Sequence, residues 1–209
     1  MRISRALILV GLIAACEPVE RVEEEAGGSL DTALMQGLTL ERAGRDVAIA
    51  PPSGACLTSD PVDTGAVIAA DCAGLGMTEG PPAPILALMT ASVDTGPVPG
   101  RGDLRERMRV VERSIQSRRG DSSLGEADGV TRLIETRIVG DTVYALLEDS
   151  DGAFPGAARR FWRAVSEENG RMLILTARGY DGAWAGEGPL YDRLAAFRRA
   201  VRQANATLG

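Results

Sequence analysis

The chain has 209 residues, of which 25% are charged and 44% hydrophobic, and its formal net charge is −6. All 23 basic residues are arginine, because lysine is absent, and histidine is absent as well. These absences exclude an imidazole base or metal ligand, a Schiff-base lysine and a lysine-containing phosphate loop. The acidic balance argues against nucleic acid as a partner, since such proteins place a basic footprint on the phosphates.

Residues 1–15 have the pattern of an export signal. Arg2 and Arg5 precede an apolar run from Ala6 to Ala15, and this order of a positive and an apolar segment is typical of secretory signals. A helix of about ten residues spans roughly 15 Å, half of the hydrocarbon core, which is too short for a permanent membrane span. The segment therefore predicts export and removal of the signal.

The sequence Ile13-Ala14-Ala15-Cys16 ends that run and resembles the lipobox of bacterial lipoproteins. In that family the signal is cut before the cysteine, which receives diacylglycerol and an N-acyl chain such as palmitate. The resemblance implies a lipid anchor at Cys16. Because Glu17 is not the aspartate that often retains such proteins at the inner membrane, it also implies the outer membrane, facing the periplasm. The alternative is an ordinary signal peptide that leaves Cys16 free.

The segment after the cysteine is predicted to be a tether. Residues 17–30 are rich in charge, proline and glycine and contain too little apolar surface to order themselves. Residues 31–209 are expected to form a single α+β domain, which is the usual count at this length. Residues 31–43 are predicted as a short helix or turn that enters the domain, capped by Asp31 or Thr32.

Three extended segments are predicted next, at residues 47–50, 66–70 and 85–93, bounded by turns rich in proline and glycine. With Cys16 assigned to lipid, Cys56 and Cys72 remain as a pair, and a pair in an oxidising compartment indicates a disulfide. We expect it to join the loop after the first segment to the end of the second. The absence of Cys-x-x-Cys spacing and of histidine argues against a redox pair or a zinc site.

Residues 101–119 predict an amphipathic helix, because apolar residues recur from Leu104 at positions i, i+4, i+7 and i+11. Arg105, Arg109 and Arg113 are spaced four apart, so they share one side of this helix. This basic side of the helix indicates contact with anionic lipid headgroups or with an acidic partner. The alternative is a solvated face whose arginines are paired with nearby carboxylates. A similar face is expected on the final helix and consists of Arg193, Arg198, Arg199 and Arg202.

Two hairpins are predicted after this helix, one turning at Gly140-Asp141 and the other at Asn169-Gly170. In the second hairpin Glu168 is expected to face Arg171. The final element, from about Pro189 to Ala206, repeats the apolar stripe and predicts a second amphipathic helix.

The predicted order is three strands, a helix, four strands and a helix. Consecutive hairpins indicate an antiparallel sheet with amphipathic helices packed on it, which is an α+β sandwich. This order, with its closing amphipathic helix, resembles the PsbP-like α/β sandwich over about residues 45–206. The resemblance implies a largely non-catalytic module that works in binding and assembly, and it assigns no functional residues.

Tyr180 and Trp184 belong to a glycine-rich loop before the final helix. Aromatic residues on such a loop predict either a ligand platform or a cover over the core. No Gly-x-Ser-x-Gly, EF-hand or cofactor motif is present, so we predict no catalytic residue, metal or cofactor.

The sequence therefore predicts a lipid-anchored periplasmic protein that binds an unidentified envelope protein or ligand and is not an enzyme. The alternative function is a carboxylate-dependent hydrolase of envelope glycans or lipids. Such an enzyme needs two acidic side chains in one cleft. Carboxylate pairs such as Asp149 with Asp151 and Glu167 with Glu168 are present, but nothing in the sequence shows either pair facing one cleft.

Overall fold

The computed structural model describes residues 37–57, 66–78, 86–117, 130–150, 155–180 and 186–206. The predicted signal, the lipidation site, the tether and Trp184 lie outside these ranges. The helices and strands of the described part, in chain order, are β1 (Leu38–Arg42), β2 (Arg45–Ile49), β3 (Ala55–Leu57), β4 (Ala66–Asp71), β5 (Ala87–Val93), α1 (Leu104–Gln116), β6 (Thr131–Val139), β7 (Thr142–Asp149), β8 (Ala157–Glu168), β9 (Arg171–Tyr180) and α2 (Glu187–Ala206).

Seven of these strands form one sheet in the order β3-β4-β5-β9-β8-β7-β6. Every neighbouring pair in the sheet is antiparallel, while β1 and β2 form a separate hairpin. The predicted α+β class, an antiparallel sheet with amphipathic helices packed on it, is confirmed.

The sheet has a separate hydrophobic core on each face. One core lies under α2 and the β1–β2 hairpin and includes Leu175 and Phe197. The other lies under α1 and includes Met108 and Phe161. Side chains alternate between the faces of a strand, so Trp162, the neighbour of Phe161, enters the α2 core. The molecule thus has three layers, with the sheet in the middle.

Local signals explain the elements that were predicted well. The Asp103 carboxylate caps α1 by accepting the Glu106 N–H at 2.8 Å, as expected for an N-cap residue. Asn169 and Gly170 have φ angles of 48° and 70°, which suit a two-residue hairpin turn. Glu168 faces Arg171 across that turn, so the predicted register is confirmed.

Two predictions at the start of the domain are wrong. Residues 38–42 form strand β1 and not a helix or turn, because Ala43 and Gly44 adopt positive φ angles and fold the chain back onto β2. Cys56 lies in strand β3 and not in a loop. This strand is only three residues long and pairs with β4. It was not predicted because the segments beside it are rich in turn-forming residues.

Candidate functional site

The cysteine pair occupies one edge of the sheet. Cys56 in β3 and Cys72, directly after β4, form a disulfide with a Cα–Cα distance of 5.0 Å. Both cysteines are buried. The predicted bridge is therefore present, although it joins an edge strand, and not a loop, to the end of β4.

The helix α1 carries a row of exposed arginines on its outer side. Arg105, Arg109 and Arg113, here called the arginine row, are all exposed. None of their side chains forms an ion pair or a hydrogen bond with any residue that the structure describes. Like charges four residues apart on a helix destabilise it by about 0.2–0.5 kcal/mol per pair. Within the described fold the row therefore contributes repulsion and no ion pair, although Arg113 lies in the last turn of α1, where a positive charge is favourable.

A fourth arginine of α1 points the other way and attaches the helix to the sheet. Arg107 donates hydrogen bonds to both oxygens of Glu167 on β8, at 2.9 Å for the Nη2–Oε1 pair. The Val98 N–H also donates to Glu167, at 2.9 Å. Burial raises the pKa of Glu167, but the bonds from Arg107 and Val98 outweigh burial and lower the pKa overall. Arg107 is thus a structural residue.

The arginines of α2 differ in exposure, since Arg199 and Arg202 are exposed while Arg198 is buried. Arg193 pairs with Asp71, and the buried Arg198 lies 2.6 Å from Glu168. The Asp141 carboxylate lies 3.3 Å from the Arg198 guanidinium and 3.6 Å from that of Arg202. The exposed basic face is therefore smaller than the spacing predicts, because carboxylates near this helix engage Arg193 and Arg198.

The neighbouring carboxylates Glu167 and Glu168 do not share a cleft. Adjacent residues of a strand point to opposite faces, so Glu167 meets Arg107 of α1 and Glu168 meets Arg198 of α2. Burial raises the pKa of Glu168, and the opposing effect of Arg198 is smaller. Glu167 therefore attaches α1 to the sheet, and Glu168 attaches α2.

A buried ion pair that the sequence did not predict lies near the α1 core. The guanidinium of Arg178 contacts the carboxylate of Asp149 at 2.6 Å, and the Thr131 hydroxyl donates to the same carboxylate at 2.8 Å. The Arg178 guanidinium also lies 3.8 Å from the centre of the Phe161 ring. The alternation of β9 places Arg178 on the α1 face, but only the fold brings Asp149 to it.

Three aromatic residues form a cluster at α2, away from the predicted loop. The ring of Tyr191 lies 5.0 Å from that of Tyr144 and 5.2 Å from that of Trp162, centre to centre. Arg137 of β6 places its guanidinium 4.0 Å from the Tyr191 ring centre. A cleft of about 330 Å³ lies beside this cluster, between α2 and the β6–β7 turn. Tyr180 is half-buried at the end of β9, opposite Ala157.

Neither helix of the described ranges is long and apolar enough to span a membrane. Within the same ranges, no three acidic or cysteine side chains lie close enough together to hold a metal ion. The predicted absence of metals and cofactors stays a prediction.

No protein-family model matches the chain, and no curated protein sequence matches it. Among solved structures, the chain is similar to the solution structure of a cyanobacterial PsbP protein, CyanoP, from Synechocystis sp. PCC 6803. The sequence identity is 15%, the TM-score is 0.39, and the match covers 81% of this chain and 94% of that chain. A likeness this distant carries no functional inference.

Proposed function

We propose that the protein is a lipid-anchored module of the bacterial cell envelope that acts by binding and not by catalysis, with the arginine row as its contact for an anionic lipid surface. The observation that carries this proposal is the contrast within one acidic chain. Arg107 of α1 and Arg193 and Arg198 of α2 are paired with carboxylates. The three arginines of the row are exposed, and their side chains are unpaired among the described residues.

The contact is electrostatic and does not require insertion of α1 into the bilayer. The apolar side of α1 is already buried against the sheet, through Met108, Val111 and Ile115. Each basic residue near an anionic surface contributes about 1 kcal/mol, so the row contributes about 3 kcal/mol. A lipid chain and a basic patch together hold a protein more firmly than either does alone.

The competing hydrolase function has less support from the same geometry. Glu167 and Glu168 face opposite sides of the sheet, and each is engaged by an arginine. Glu148, on the neighbouring strand, accepts hydrogen bonds from both Arg132 and Arg160. Carboxylates held in this way are poorly placed to act as a proton donor or as a nucleophile at one cleft.

The row is tested by co-sedimentation with vesicles of anionic phosphatidylglycerol, using the Cys16→Ser chain so that acylation does not hold the protein. Replacing Arg105, Arg109 and Arg113 with glutamine should weaken binding roughly 100-fold, since each 1.4 kcal/mol is a tenfold change. Neutral phosphatidylcholine vesicles should bind neither form.

The matched control removes the same charge from other exposed positions, with glutamine at Arg45, Arg199 and Arg202. It should retain most of the binding. Equal losses of binding in both triple variants would show that binding depends only on net charge. Unchanged binding by the variant of Arg105, Arg109 and Arg113 would contradict a role for the row.

The anchor is tested separately by metabolic labelling with an alkyne fatty acid. The wild-type chain should carry the label and Cys16→Ser should not. A wild-type chain without label would remove the anchor from the proposal and leave the role of the arginine row standing.

A further inference from the structure

The two edge strands of the seven-stranded sheet differ in how well they are protected from pairing with a further strand. Strand β3 is three residues long and is tied to the end of β4 by the disulfide. Strand β6 has nine residues, and among the described strands only β7 pairs with it. Val139 at its end is 51% exposed, and Ile134 within it is 36% exposed. A long edge strand with exposed apolar side chains is a template for pairing with another strand.

The hairpin turn determines which backbone groups of β6 face outward. Val139 and Thr142 close a two-residue turn at Gly140-Asp141, and such a turn is closed by a pair that exchanges hydrogen bonds. Every second residue from Val139 back to Glu135, where a bulge shifts the register, therefore bonds to β7. Thr136 and Ile138, which alternate with those residues, direct their N–H and C=O groups away from β7.

The charges of β6 are complementary to those of a second copy in one register. Antiparallel strands related by a two-fold axis place one residue opposite itself. An axis at Glu135 or at Arg137 would put like charges directly opposite, which is destabilising. An axis at Thr136 instead puts each Glu135 opposite Arg137 of the other copy. It also places Thr136 of one copy opposite Thr136 of the other, and the N–H and C=O groups of both residues point away from β7.

We propose that β6 pairs antiparallel with β6 of a second copy about a two-fold axis at Thr136, which joins the two sheets into one. Glu135 and Arg137 are about half-exposed and lie 3.2 Å apart within one chain, so the two copies together form a ring of four alternating charges. Ile138 of each copy then lies beside the bulge at Ile134 of the other copy. The axis is perpendicular to the sheet, so both α1 helices lie on the same side of the dimer.

The test is oxidative crosslinking in intact cells, read on a gel without reductant. In the proposed register the two Thr136 Cα atoms are about 5.5 Å apart, within the range of about 4.4–6.8 Å that a disulfide spans. Thr136→Cys should give a reducible band of twice the mass of the chain. Val139→Cys is the matched control, because its two copies are separated by about six residues, or ~20 Å. Like the wild type, it should form no disulfide across the interface and should run on the gel at the mass of one chain.

Charge reversal tests the register itself. In the Thr136→Cys chain, Glu135→Arg should reduce the crosslinked fraction at least tenfold, and adding Arg137→Glu should restore it. Because Arg137 also contacts the Tyr191 ring, thermal melting must show that the variants remain folded. The absence of a Thr136→Cys dimer, equal crosslinking of Val139→Cys, or an adduct whose mass is not twice that of the chain would each overturn the proposal. The last result would assign the edge to a strand of another protein.

Discussion

The two helices carry arginines at similar helical spacing, yet they use them differently. On α1, Arg105 and Arg109 point into solvent without partners among the described residues. On α2, Arg198 is buried and Arg202 lies near Asp141. Spacing along a helix defines the side on which a residue lies. Whether that residue serves the fold or remains available for binding is determined by the carboxylates of the strands beneath it.

The attachment points of the two helices differ in the same way. Glu167 and Arg107 keep side-chain exposures of 14% and 18%, whereas Arg198 keeps only 4% and Glu168 11%. Burial costs an ion pair its hydration. Removing one partner should therefore cost more stability in the pair under α2 than in the pair under α1.

The largest effect is expected from breaking the α2 attachment. Arg198→Ala leaves Glu168 buried without its cation, and removing one partner of a buried pair costs about 3–5 kcal/mol. The free energy of unfolding in urea should fall by this amount. The neighbouring exposed Arg199→Ala should change the free energy by less than about 0.5 kcal/mol. Equal losses for the two variants would contradict a structural role confined to Arg198.

A smaller effect is expected from the α1 attachment. Arg107→Gln removes a bidentate charged contact to Glu167, which should lower the free energy of unfolding by about 2 kcal/mol. Glutamine at all three positions of the arginine row should leave the free energy unchanged or slightly raised, because repulsion between like charges is relieved. If the triple variant lost as much stability as Arg107→Gln, the row would have a structural role.

The finest distinction concerns the protonation of the two glutamates. Carboxyl resonances followed by NMR during a pH titration should place the pKa of Glu167 below 4.5 and the pKa of Glu168 above it. Glu167 binds fewer protons in the folded state, so its contribution to stability is present above the unfolded pKa and is lost as the pH falls through the folded pKa. Glu168 has the opposite sign, since its folded state binds protons more readily, and stability rises as the pH falls through its folded pKa. Shifts in the same direction would contradict the difference between the two attachments.

Local patterns were sufficient for the elements whose causes lie within a few residues. The stripe of α1 begins at Leu104, the Asn169-Gly170 turn sets the register of its hairpin, and Cys56 and Cys72 are bonded as the cysteine count predicted. Strand β1 was missed because its stability comes from pairing with β2 and not from its own pattern. The sites of Cys16 and Trp184 lie outside the described residues and stay predictions.

The sequence by itself determined the antiparallel α+β architecture, the disulfide pairing and the side of α1 on which the arginine row lies, because these follow from spacing along the chain. The tertiary structure decided which charges are paired. Arg178 meets Asp149 across 29 positions and Arg198 bonds to Thr142 across 56. Contacts at such separations depend on the order of strands in the sheet, and that order brings carboxylates to α2 while it leaves the arginine row of α1 unpaired among the described residues.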